Sequence, residues 1–173
     1  MLQEYQNQLP EYAKDLKLNV SSVLSESPTT QLTTAQIAGI ALASAYATKD
    51  ASLIAVFNNS DALDDIHIQA AKAAASIMAM NNVYYRFVHL VNDTEYQHMP
   101  ANLRMNIISN PGIAKTDFEL YALAVSAING CGLCMDSHAK TLSKAGISKA
   151  GIQHAIRIAA VISGLAQVSH IEG

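Results

Sequence analysis

Six residues of one short segment could carry chemistry together: Glu119, then Cys131-Gly132-Leu133-Cys134, then His138. The chain has two cysteines in all, and both are here, three positions apart. Bonding so close a pair closes almost no loop, so it does little for the fold. A Cys-x-x-Cys pair is either a redox dithiol or half of a metal site. At about 3.6 residues per turn, positions 131, 134 and 138 share one face if all are helical. Side chains at that spacing have Cβ atoms about 5–6 Å apart, whereas a disulfide needs about 3.5–4.5 Å. The bond therefore requires the start of the helix to relax, and Gly130 and Gly132 make that easier. An exposed pair of this kind belongs to the labile, catalytic class of disulfides.

Two effects favour a thiolate, and they favour different sulfurs. A helix N-terminus assists Cys131. His138, one turn after Cys134, can take the proton of that thiol directly or through water. Residue types alone leave the choice of nucleophile open. Glu119 lies across the Asn129-Gly130 break and must approach from the preceding helix, where it could orient His138. Alternatively it completes a capping box with Thr116. Zinc is the competing use of the cysteines, with Glu119 as fourth ligand, but structural zinc sites are built from Cys and His. The residues favour redox work.

The elements that position these residues read as helices throughout. Pro10 fits the first turn of a short helix through Lys17. Thr33 or Thr34 caps a helix to about Ala47, and Asp50 one to about Phe57. The segment from Asp61 to Met80 repeats apolar residues every three or four positions. Asn81-Asn82 breaks or interrupts it, Val83 to Val91 resumes, Tyr96 to Pro100 connects, and Asn110-Pro111-Gly112 turns. Helices then run from about Thr116 to Ile128 and from Cys131 to Lys144. Ser148 caps a last helix, apolar almost all round from Ala155 to Val168, which suits a core or a subunit interface. No run alternates for long enough to be a strand, so the expected fold is all-α, as a single domain over residues 1–173. An internal echo pairs Ala43-Ser44-Ala45 with Val125-Ser126-Ala127. It sets Ile37, Lys49, Ser52 and Val56 opposite Glu119, Cys131, Cys134 and His138, so that only the second half has the chemistry.

Composition narrows the function. The 173 residues carry 11 Lys+Arg against 14 Asp+Glu, a net charge of −3. That balance does not suit a nucleic-acid surface, nor do 6% aromatics without Trp. Charged residues are only 14%, against about a quarter in typical soluble domains, which points to faces covered by other subunits. The N-terminal residues lack a basic start followed by an apolar run, so no export signal is expected and a cytoplasmic location is. No dinucleotide fingerprint is present. Asp61, Asp64, Asp65 and His67 crowd a helix start, where acids suit the dipole. The remaining histidines lack ligand-spaced partners, and Met78, Met80, Met99 and Met105 read as packing residues.

LPEYAKDLKLN at 9–19, MNNVYYR at 80–86, LRMNIISNPGI at 103–113 and FELYALAVSAINGC at 118–131, together with Cys-x-x-Cys-x3-His, resemble the alkyl hydroperoxidase D family (AhpD) of the carboxymuconolactone-decarboxylase-like superfamily. The likeness runs through the whole chain. It implies a helical fold with a duplicated core, assembled as a homotrimer. It also implies reduction of organic hydroperoxides and recycling of the peroxiredoxin AhpC. No bound cofactor is implied. Electrons would come from the lipoyl group of a 2-oxoacid dehydrogenase subunit. Matched by position, Cys134 would attack the peroxide and become the sulfenic acid. Cys131 would donate a proton and then resolve it to the disulfide, with Glu119 and His138 as proton relay. Leu133 departs from the pattern, since members of the family often carry His just before the second cysteine. A dithiol–disulfide reductase serving only a partner protein, and a zinc-stabilised interaction module, are the alternatives.

Overall fold

The computed structural model describes residues 1–173, and every regular element in it is helical. The order is α1 (Leu2–Gln8), a 3-10 turn (Glu11–Ala13), α2 (Lys14–Val23), α3 (Thr34–Thr48), α4 (Ala51–Asn58) and α5 (Asp65–Leu90). There follow α6 (Glu95–His98), α7 (Asn106–Ser109), α8 (Lys115–Ile128), α9 (Gly132–Lys144) and α10 (Lys149–Glu172). Caps set the boundaries. Thr33 Oγ1 accepts from the Gln36 amide while Gln36 Oε1 accepts from the Thr33 amide, a complete capping box. Asp50, Asp64 and Ser148 each accept from the amide three residues on. Pro10 precedes the 3-10 turn rather than an α-helix, and the helix that follows runs on to Val23.

The centre of the molecule is made of α3 and α8. Phe118 through Ser126 are all buried, as are Ile37 and Gly39 through Ala45. A helix buried all round belongs in the middle, and α8 packs against α3, α5, α9 and α10. The last helix lies against the core, as its apolar run from Ala155 to Val168 suggests, and the exceptions in that run, Arg157 and Gln167, are exposed. It buries Gly151, His154, Ala155, Ile158, Ala159, Val161, Ile162, Leu165 and Val168 and exposes Gln153, Arg157, Ala160 and Gln167. The helices buried most completely are α3 and α8. Their approach depends on Gly39, where a Cβ would lie 2.0 Å from Tyr121 Oη and 2.2 Å from its Cζ. Burial, with the charges of Asp117 and Asp64 adding, pushes the Tyr121 phenol far above its ordinary range. Tyr121 therefore stays neutral, and its buried hydroxyl has no partner.

Asn81-Asn82 does not interrupt α5, which is continuous for 26 residues. Asparagine weakens helices when its side chain competes for its own backbone. Here both face inward, and the Asn82 amide is engaged by another helix. Its Nδ2 donates to Ser126 Oγ at 2.9 Å, and its Oδ1 accepts from Asn129 Nδ2 at 2.9 Å.

Candidate functional site: a buried cysteine pair beside a histidine–carboxylate couple

The corner between α8 and α9 is built by Gly130, whose φ of 69° lies in the left-handed region open to glycine. Around it, the Cys131 amide donates to Ser126 O at 3.0 Å and the Gly130 amide to Ala127 O at 3.1 Å. These two bonds form a Schellman motif, which turns the chain sharply after α8. Arg86 adds an Nη1 bond of 2.9 Å to Asn129 O. Asn82, Ser126, Asn129 and Arg86 thus tie the corner to α5. The sequence reading missed these residues as a set, because their sole common property is that they meet in space.

Cys131 does not lie on the helix face. It is the N-cap of α9, with φ −92° and ψ 92°, and its Sγ accepts from the Cys134 amide at 3.3 Å. This is the relaxation that the bond requires: with Cys131 extended, the Cα atoms are 5.3 Å apart and the two sulfurs are joined as a disulfide. The pair is not exposed, since Cys131 is fully buried and Cys134 is 7% exposed.

Glu119 comes from the middle of α8, and its Oε2 lies 2.7 Å from His138 Nδ1. The side chains are 6% and 11% exposed. Glu119 makes no capping box with Thr116; the helix begins after Ala114, without a side-chain cap. With Nδ1–H donating to the carboxylate, Nε2 of His138 is left free of this bond. Cys134, Glu119 and His138 all line one pocket of about 410 Å³, together with Met78, Asn81, Tyr85, Met105, Ile108 and Leu133. Met78 and Met105, read from sequence as packing residues, are walls of this pocket. No three His, Cys, Asp or Glu side chains are arranged to hold a metal ion. Elsewhere, Asp64 caps α5 and its Oδ1 lies 2.6 Å from His67 Nδ1. His154 is a core residue, with Nε2 2.8 Å from Val23 O.

The first half of the fold repeats this arrangement without its chemistry. Matching caps pair Thr33 with Ala114, left-handed Lys49 with Gly130, and Asp50 with Cys131. That register differs by one from the sequence echo, and it sets Ala38, Leu53 and Phe57 opposite Glu119, Cys134 and His138. A second pocket of about 370 Å³ has Ala38, Val56, Phe57 and Ser60 where the first has Glu119, Ser137, His138 and Thr141.

The carboxymuconolactone decarboxylase family model matches residues 94–171, which hold α8, α9 and α10. The chain is 70% identical to the alkyl hydroperoxide reductase AhpD of Coxiella burnetii (strain RSA 493 / Nine Mile phase I), over 99% of this chain and 98% of that protein. The chain belongs to the AhpD family. Proteins of the same name from Maricaulis maris (strain MCS10) and Bradyrhizobium sp. (strain ORS 278) are 53% and 49% identical. They align over 94% and 95% of this chain, and over 93% and 91% of their own lengths. No helix is long and apolar enough to cross a membrane.

Proposed function

We propose that this AhpD-family chain reduces organic hydroperoxides with the Cys131–Cys134 dithiol. The observation that carries the reading is one pocket in which Cys134 sits beside a histidine already held by a buried carboxylate. Its other walls, Met78, Met105, Ile108 and Leu133, suit the alkyl part of the substrate. In the reduced enzyme the Cys134 thiolate attacks the terminal oxygen of ROOH. The S–O bond forms, the O–O bond breaks, and RO⁻ takes a proton to leave as ROH. Cys131 supplies that proton. The Glu119–His138 couple takes the Cys134 proton at the outset and restores protons between turnovers. The Cys131 thiolate then attacks the sulfenic sulfur; the S–S bond forms, the S–O bond breaks, and the departing hydroxide takes the proton held by the Glu119–His138 couple to leave as water.

Restoring the dithiol takes two electrons by thiol–disulfide exchange. A dihydrolipoyl group on a 2-oxoacid dehydrogenase subunit is the proposed donor, and an AhpC-type peroxiredoxin the protein that the dithiol regenerates, in the cytoplasm. The exposed stripe of Val83, Phe87 and Leu90 along α5 supports burial in an oligomer, for which we propose three copies. Stopped-flow oxidation of the reduced enzyme tests the reading. Saturable, rapid oxidation by an organic hydroperoxide is expected. Oxidation by an oxidised protein partner alone would make the chain a reductase of proteins. Zinc retained by freshly purified protein, with no oxidation, would make the cysteines structural.

A further inference from the structure

The corner that carries Cys131 exists twice in this fold, and only in one copy is the end of the incoming helix gripped by another helix. In the second half, Asn82 Nδ2 donates to Ser126 Oγ and Asn82 Oδ1 accepts from Asn129 Nδ2, both at 2.9 Å. One turn further along α5, Arg86 Nη1 donates to Asn129 O at 2.9 Å. Three bonds from one helix thus hold the last turn of α8, where Ser126 O also accepts from the Cys131 amide. In the first half, the offset that pairs Lys49 with Gly130 sets Ala45 and Thr48 opposite Ser126 and Asn129. Ala45 has no polar side chain, and Thr48 Oγ1 donates back to Ala45 O at 2.9 Å within its own helix. Lys49 still takes the left-handed conformation, and Asp50 still caps α4. The turn therefore forms without a clamp. Asn82 is 2% exposed and Ser126 fully buried, so their bond comes at the cost of desolvating both groups, and its directionality fixes one geometry. The clamp stands where the cysteines are and is missing where they are not.

One chemical step depends on the geometry so fixed. Cys131 is extended at the N-cap of α9, and from there its sulfur is bonded to that of Cys134. Were Cys131 to join the helix, the two Cβ atoms would stand about 5–6 Å apart, too far for a disulfide. We propose that Asn82 is a positioning residue for disulfide closure: by holding the end of α8 it keeps Cys131 at the N-cap, within reach of Cys134, while the two sulfurs are apart. The kinetic part of this inference rests on the peroxide-reducing reading above. In that reading the S–S bond closes as the Cys131 sulfur displaces hydroxide from the Cys134 sulfenic sulfur. The competing fate is attack by the sulfenic sulfur on a second hydroperoxide. A second S–O bond then forms, the O–O bond breaks, ROH leaves and Cys134 is overoxidised to the sulfinic acid. Prompt closure by Cys131 prevents it.

The test separates positioning from stability. Asn82→Leu removes the clamp and leaves Ser126 Oγ buried without its partner. Asn82→Leu/Ser126→Ala removes that group too, so it is expected to regain most of the melting temperature that the single change loses. Reduced proteins are mixed with one equivalent of an organic hydroperoxide, quenched into a sulfenic-acid trap and read by peptide mass spectrometry. The Cys134 sulfenic acid is expected to form within about threefold of the wild-type rate in both variants. Its closure to the disulfide is expected to be slower by about tenfold in both, since small misplacements of a reacting group cost up to about 10²-fold. With excess peroxide, both should accumulate sulfinic acid at Cys134 before wild type does. In a dithiothreitol redox buffer without peroxide, their disulfide is expected to be about tenfold less favoured, about 30 mV on the two-electron couple. The double variant serves for every measurement if the single one does not fold. Closure within about threefold of wild type in Asn82→Leu overturns the proposal. So does closure that returns to the wild-type rate in the double variant as its melting temperature recovers, for Asn82 then serves stability alone. If wild type itself is not oxidised by peroxide, the reading of function fails, and the redox buffer decides the inference by itself: an unshifted equilibrium overturns it.

Discussion

Replacing His138 with Phe gives the second half of the fold the residue that its first half already has at the matching position, Phe57. By itself the change is predicted to be harmful. Glu119, with a side chain 6% exposed, has its hydrogen bond at 2.7 Å to His138. His138→Phe leaves that acceptor buried and unpartnered, at a cost of about 1–3 kcal/mol. Glu119→Ala alone has a similar effect, because it empties part of the pocket wall and frees His138 Nδ1. Combined, the two substitutions recreate the Ala38 and Phe57 pair, in which nothing polar is buried and the larger ring occupies part of the vacated space. The double variant should therefore be more stable than the sum of the single changes predicts, by about 1–3 kcal/mol. Urea denaturation of the disulfide form, followed by helical circular dichroism, reads this as a recovery of about 1 M in midpoint. Additivity within about 0.5 kcal/mol would refute the buried coupling of Glu119 to His138 and the duplicated register together.

Further outcomes follow from other parts of the structure. Gly39→Ala drives a methyl group into the Tyr121 ring and should destabilise by about 1–3 kcal/mol, with Gly39→Ala/Tyr121→Phe recovering part of it in the same urea assay. For Asp50, burial pushes the carboxyl up, but bonds from Ser52, the Leu53 amide and Ser169 outweigh it and hold it below its ordinary 3.8. Asp64 is held low by the His67 amide and ring. A group depressed by folding stabilises above its unfolded value and loses that contribution as pH falls through its native one. Stability should thus decline below the ordinary aspartate value of 3.8, and less steeply in Asp50→Asn/Asp64→Asn; equal slopes would contradict the assignment. Leu133 lines the pocket next to Cys134, so Leu133→His adds a titrating group and should change the pH–rate profile for peroxide; identical profiles would remove Leu133 from the account.

Local rules made much of this architecture legible. Thr33, Asp50 and Ser148 stand at the helix starts they mark, and Cys134 and His138 lie one turn apart on α9 as their four-residue step predicts, whereas Cys131 caps that helix instead of sharing its face. The partnership of Glu119 with His138 was readable only as a possibility, since a capping box with Thr116 fits the same spacing and tertiary approach chooses between them. Asn81-Asn82 misleads for a related reason: asparagine reads as a helix breaker unless its side chain has a use elsewhere, and for Asn82 that use lies on α8 and the corner after it. The buried disulfide was not legible either, because exposure at the start of α9 depends on α5 and α8 closing over the corner. The one-residue shift in the internal repeat came from matching Ala-rich segments by composition, whereas caps and left-handed residues fix the register.

The central claim is that Cys134 is the atom that meets the peroxide. Its most direct test is peptide mass spectrometry of reduced Cys131→Ser and Cys134→Ser proteins after one equivalent of an organic hydroperoxide, with a sulfenic-acid trap present. A trapped sulfenic acid at Cys134 in Cys131→Ser, with Cys131 unmodified in Cys134→Ser, is the predicted result. A sulfenic acid at Cys131 in Cys134→Ser, with none at Cys134, would contradict it.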